Sequence, residues 1–121
     1  MPISDDSTTL AQLRNEVQQF VDERDWSQFH NPKDLAISLS IEASELLEEF
    51  QWLSQEEVDQ VRRRPEHLAR VASELADVLI YGLSLANALD LDVADAVRMK
   101  LDASALKYPA ERYRGRFRLD P

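Results

Sequence analysis

A chain of 121 residues with 44% apolar content suits one folded domain, and the absence of cysteine excludes disulfide frameworks and thiolate metal sites. The net charge of −9 repels a phosphate backbone and argues against duplex nucleic acid as a partner, although a divalent cation can reverse a local field. No apolar run approaches the ~20 residues of a membrane span and no signal-like leader opens the sequence, so a cytoplasmic protein without a membrane partner is expected.

Only two glycines occur, Gly82 and Gly115, and helical periodicity dominates. Leu10, Leu13, Val17, Phe20 and Val21 predict a first helix over roughly 8–24. Asn31-Pro32, an N-cap followed by proline at the first helical position, opens a second over about 32–53, with Asp34 in its first turn. Leu35, Leu39, Leu46, Phe50 and Leu53 form its stripe. Ser54 to Glu57 has capping-box spacing and starts a short polar helix that fades near Arg64. Pro65 begins a long helix ending near Leu89, marked by Leu68, Val71, Leu75, Val78, Leu79 and Leu85. Asp92 caps a last helix over about 93–107, which Pro109 stops. The expected architecture is an all-α helical bundle in a single domain spanning 1–121. Its core covers about 10–108, and the arginine-rich tail of 109–121 is loop-like or packed on a neighbour.

Carboxylates stand where they are costly. Between Glu74 and Leu89 the only other charged residue is Asp77, and Glu74, Asp77 and Tyr81 share one sector of an otherwise apolar helix. That helix is expected to be largely buried, with Arg70 the one intrahelical cation in reach of Glu74. An unpaired buried carboxylate costs several kcal/mol, so something positive must meet the pair. The second helix brings Glu42, Glu45 and Glu49 at i, i+3 and i+7 beside its apolar stripe, with no lysine or arginine between Lys33 and Arg62. Glu48, Glu49 and Glu56 read as a solvated face. If the two helices pack together, four carboxylates converge, and Mg²⁺ suits them as a hard cation that takes oxygen ligands and bridges to phosphates. A di-iron bundle needs Glu-x-x-His on two helices, which neither His30 nor His67 provides.

Glu-x-x-Glu, 28 residues, then Glu-x-x-Asp resembles the signature of the MazG-like all-α nucleoside triphosphate pyrophosphohydrolases. EASELLEEFQW and ELADVLIYGLSLA look most similar to the dCTP pyrophosphatase branch, as do ERDWSQFHNPKDLA and the later KYP. The resemblance implies that Glu42, Glu45, Glu74 and Asp77 ligate Mg²⁺, with Mn²⁺ as a substitute. It also implies that Trp26, His30, Trp52 and Tyr81 form a base pocket, and that Lys100, Lys107 and Tyr108 lie near the triphosphate. A homodimer or homotetramer with shared pocket walls follows from the same source. Ser104 stands where an asparagine is common, and Glu49 where an apolar residue is frequent.

The expected reaction is metal-dependent hydrolysis of a nucleoside triphosphate to monophosphate and pyrophosphate, with a preference for pyrimidine deoxynucleotides such as dCTP. No serine, cysteine or histidine arrangement for a covalent intermediate is visible, so water attacks directly, oriented or deprotonated by Glu42 or Glu45. Two competing readings remain at this stage. One is a non-catalytic acidic interaction module; the other is a nucleotide-binding regulator that has lost turnover. Pyrophosphate release separates the enzyme from both.

Overall fold

The computed structural model describes residues 3–116 and 118. Every long element among them is an α-helix: α1 Leu10–Glu23, α2 Pro32–Glu48, α3 Gln55–Gln60, α4 Pro65–Ala88, α5 Val93–Lys107 and α6 Ala110–Tyr113. Short 3₁₀ turns at Ser27–Phe29 and Val61–Arg63 join them. The helix starts follow local chemistry. The Asn31 side chain accepts from the Asp34 amide ahead of Pro32, and Ser54 and Glu57 form a reciprocal capping box. Asp92 accepts from the Asp95 amide. Thr9 and Gln12 form a second capping box, at the start of α1.

The described residues form two units, one through Asp90 and one from Leu91 onward. In the first, α2 packs most extensively along α4, with α1 and the second 3₁₀ turn adding to the same helix. The buried centre is small: Val21, Leu35, Val61, Ser84 and Ala86. Leu35, 2% exposed, is its most enclosed large side chain. Gly82 lies against α2, where an added Cβ would meet Leu39 Cδ1 at 3.8 Å. The second unit holds α5 and α6, joined where the Tyr108 amide donates to the Ser104 carbonyl and Tyr108 meets Tyr113 edge to face at 5.2 Å. Gly115 then takes φ 71°, a conformation that favours glycine.

Three expectations need correction. The second helix stops at Glu48 rather than near 53. His67 Nε2 donates to the Glu49 carbonyl at 2.9 Å and the Phe50 ring lies against the His67 ring, so contact with α4 captures the last turn. The tail is not all loop, because Ala110–Tyr113 makes a helical turn after Pro109. Nor is α4 largely buried: Leu75, Leu79 and Ile80 are exposed, Leu79 at 57%. The apolar residues of α4 spread around more of its circumference than α1 and α2 cover. None of the helices among the described residues is long and apolar enough to cross a membrane.

Candidate active site

Glu42 and Glu45 sit one turn apart on α2, and α4 packed along it brings Glu74 to meet them. One carboxylate oxygen from each lies within 4.8 Å of the others. Asp77, one turn beyond Glu74, stands outside this closest trio, yet its charge helps raise the pKa of both Glu42 and Glu74. The Glu42 carboxyl is pushed from 4.5 up to about 7. The leading cause is a hydrogen bond with Glu45 that requires Glu42 to keep its proton, followed by desolvation and the charges of Glu45, Asp77 and Glu74. Glu74 is raised chiefly by desolvation, then by Glu45, Asp77, Glu49 and Glu48.

Glu42 Oε2 and Glu74 Oε2 are buried with no hydrogen-bond partner. Buried carboxylate oxygens are ordinarily paired, so two orphans facing a third carboxylate mark a place built for a cation. The donors are all oxygens, which a hard divalent ion accepts and a soft one does not favour. The cluster can therefore hold a metal. Arg70 does not neutralise it as the sequence suggested: its Nε donates instead to Glu49, at 3.3 Å and 3.2 Å to the two oxygens. Glu49 is consequently no solvated residue. Its side chain is 18% exposed, and Oε2 also lies 3.7 Å from His67 Nε2.

A cavity of about 370 Å³ opens between α1, the turn that follows it and α4, and Trp26, His30 and Tyr81, one helical turn beyond Asp77, all line it. Local structure sets the tryptophan. Asp25 takes φ 52°, one of the few non-glycine conformations that aspartate tolerates, and turns the chain back on α1. The Trp26 amide then donates to the Val21 carbonyl at 3.1 Å, and its ring meets Phe20 edge to face at 5.8 Å. The Arg24 guanidinium lies over the Phe20 ring, 3.7 Å from its centre. Phe20, Glu16 and the buried Ser84 also line this cavity. In the sequence Phe20 marks only the period of the first helix, and no motif there singles out the other two as lining a site. A hydroxyl on the apolar face of α4 was the available signal for Ser84.

Trp52 follows α2 in a turn and is 85% exposed, away from the cavity lining. Lys100, Lys107 and Tyr108 belong to the second unit. Lys100 and Lys107 are exposed, with the Lys107 ammonium 5.3 Å from the Tyr108 ring centre.

The sequence matches the MazG-like family over residues 37–116. It is 40% identical over 107 residues to the dCTP pyrophosphatase 1 of Rattus norvegicus, covering 88% of this chain and 63% of that one. Against the Homo sapiens protein of the same name the identity is 40% over 102 residues, covering 84% and 60%. The chain thus spans less than two thirds of the length of these curated relatives. A solved pyrophosphatase from Archaeoglobus fulgidus superposes with a TM-score of 0.75 at 39% identity, covering 89% of this chain and 99% of that one.

Proposed function

The chain belongs to the MazG-like family, and from that premise we propose that it hydrolyses nucleoside triphosphates to monophosphate and pyrophosphate. The observation that carries this reading is the pair of partnerless buried oxygens, Glu42 Oε2 and Glu74 Oε2, gathered with Glu45 at one place. Glu42, Glu45, Glu74 and Asp77 would hold Mg²⁺, or Mn²⁺ in its place. The bound cation would supply charge neutralisation on the phosphates and acidify a ligated water.

The protein's own groups do the rest. Glu42 or Glu45 orients the attacking water and accepts its proton, a role supported by their place with Glu74 in the carboxylate cluster. The cavity lined by Trp26, His30 and Tyr81 takes the base, with stacking worth about 1–3 kcal/mol. The relatives' name supports a pyrimidine deoxynucleotide such as dCTP as substrate. The roles of Lys100, Lys107 and Tyr108 at the triphosphate rest on the resemblance alone. Exposed Ile37 and Ile41 on α2, Leu75 and Leu79 on α4, and Trp52 support a homodimer or homotetramer in which Trp52 helps wall a pocket.

Glu45→Gln is the direct test. The variant is expected to keep its far-ultraviolet circular dichroism and lose pyrophosphate release by two orders of magnitude or more, on the order expected for a lost catalytic base. Near-normal turnover in that variant would remove Glu45 from the chemistry.

A further inference from the structure

The residues of α4 are ordered along one stripe. Arg70, Glu74, Asp77 and Tyr81 stand at i, i+4, i+7 and i+11, within a sector of roughly 60° and over about 16 Å of helix. Tyr81 lines the aromatic cavity, Glu74 joins the carboxylate cluster, and Arg70 continues the line on the far side. The facing stripe of α2 runs in register with it. Glu45 meets Glu74, and Glu49, one turn further, meets Arg70 at 3.2 Å. A nucleoside triphosphate has the same order of parts: base, then the phosphate to be attacked, then the terminal phosphates.

On the reading of the site given above, we propose that Arg70 binds the two terminal phosphates, the pyrophosphate that leaves, and that Glu49 is its positioning residue. Both Glu49 oxygens engage Nε of the guanidinium. Among the described residues neither terminal amino group of Arg70 has a protein partner, and its side chain is 57% exposed. A guanidinium held at one nitrogen with both ends free presents planar paired donors to a phosphate. Glu49 is fixed in turn, since its carboxylate lies 3.7 Å from His67 and its carbonyl accepts from the same ring. Position 70 is also where a cation is needed. The nearby α2 and α4 side chains that face the cluster are acidic, and departing pyrophosphate carries several negative charges.

The test is calorimetric binding of magnesium pyrophosphate and, separately, of dCMP to the wild-type chain, Arg70→Ala, Arg70→Lys, Glu49→Gln and the Arg70→Ala/Glu49→Gln double variant. Arg70→Ala is expected to weaken pyrophosphate binding about tenfold and to leave dCMP, which lacks the terminal phosphates, within twofold. Arg70→Lys should lose less. Glu49→Gln should weaken pyrophosphate binding by itself and add nothing in the Arg70→Ala background, since it acts through Arg70. If Arg70→Ala fails to fold, Arg70→Gln replaces it. Unchanged pyrophosphate affinity in the variant, equal loss of dCMP, or no pyrophosphate binding by the wild type overturns the proposal. Arg70-dependent pyrophosphate binding without hydrolysis of any nucleotide would sink the proposed reaction and leave this inference standing. Turnover that survives with no Arg70 dependence would do the reverse.

Discussion

Replacing Glu42 with Gln should make the metal-free protein more stable, a direction opposite to most substitutions at a half-buried polar residue. Three carboxylate oxygens lie within 4.8 Å of one another here. At that separation each neighbouring charge costs about 0.9 kcal/mol at the dielectric of water and about 3.5 kcal/mol at an effective value of 20. Glu42 is only half-buried, so solvent screening holds the sum near the low end, about 1–2 kcal/mol for the cluster. That corresponds to a rise in Tm of about 4–8 °C for a chain of this size. The effect must depend on pH. Glu42 keeps its proton up to about 7 in the folded state and releases it near 4.5 when unfolded. The folded protein therefore binds more protons between these values, and its stability falls as pH rises through the window. At pH 5 wild type and Glu42→Gln should melt together; at pH 8 the variant should melt higher. Thermal denaturation in EDTA, at low salt and one fixed protomer concentration, reads both. A difference that does not change with pH, or a variant less stable at pH 8, would refute the assignment of repulsion to this cluster.

Other perturbations test the scaffold. Leu35→Ala empties the most enclosed core position and should cost about 2–5 kcal/mol by urea denaturation. Gly82→Ala adds a methyl in ordinary contact with Leu39 and removes a flexible residue from mid-helix, so it should gain about 0.5–1 kcal/mol. Ser54→Ala breaks the capping box of α3 and should cost about 0.5–2 kcal/mol. Hydrogen bonds from the backbone and side chain of Ser54 hold the Glu57 carboxyl below 4.5. Its contribution is therefore present above that pH and lost as pH falls below it, a slope that Ser54→Ala should weaken without abolishing, because the backbone amide of residue 54 still donates to Glu57.

Much of the fold was legible because it is set locally. Asn31 before Pro32, the Ser54–Glu57 box and Asp92 are short-range signals, and the helices begin where these residues place them. The carboxylates were visible because they interrupt an apolar period, and three of the four do meet in space. What stayed hidden depends on partners distant in sequence. The end of α2 is decided by His67, 18 residues beyond the Glu49 carbonyl it binds. Arg70 looked like a partner for Glu74 on its own helix and instead pairs across to Glu49. The resemblance groups Trp52 with Trp26; the αL turn at Asp25 sets Trp26 in the cavity wall, whereas Trp52 stands 85% exposed in the turn after α2. The apolar circumference of α4 predicted burial, but periodicity alone does not say which of its faces a neighbouring helix covers.

Pyrophosphate release from a panel of deoxynucleoside and nucleoside triphosphates, assayed with Mg²⁺ and with EDTA, tests the central claim most directly. The account predicts metal-dependent release with a monophosphate co-product, fastest on a pyrimidine deoxynucleotide and lost in Glu45→Gln. Release of orthophosphate instead, or no release from any nucleotide by a folded protein that binds Mg²⁺, would contradict it.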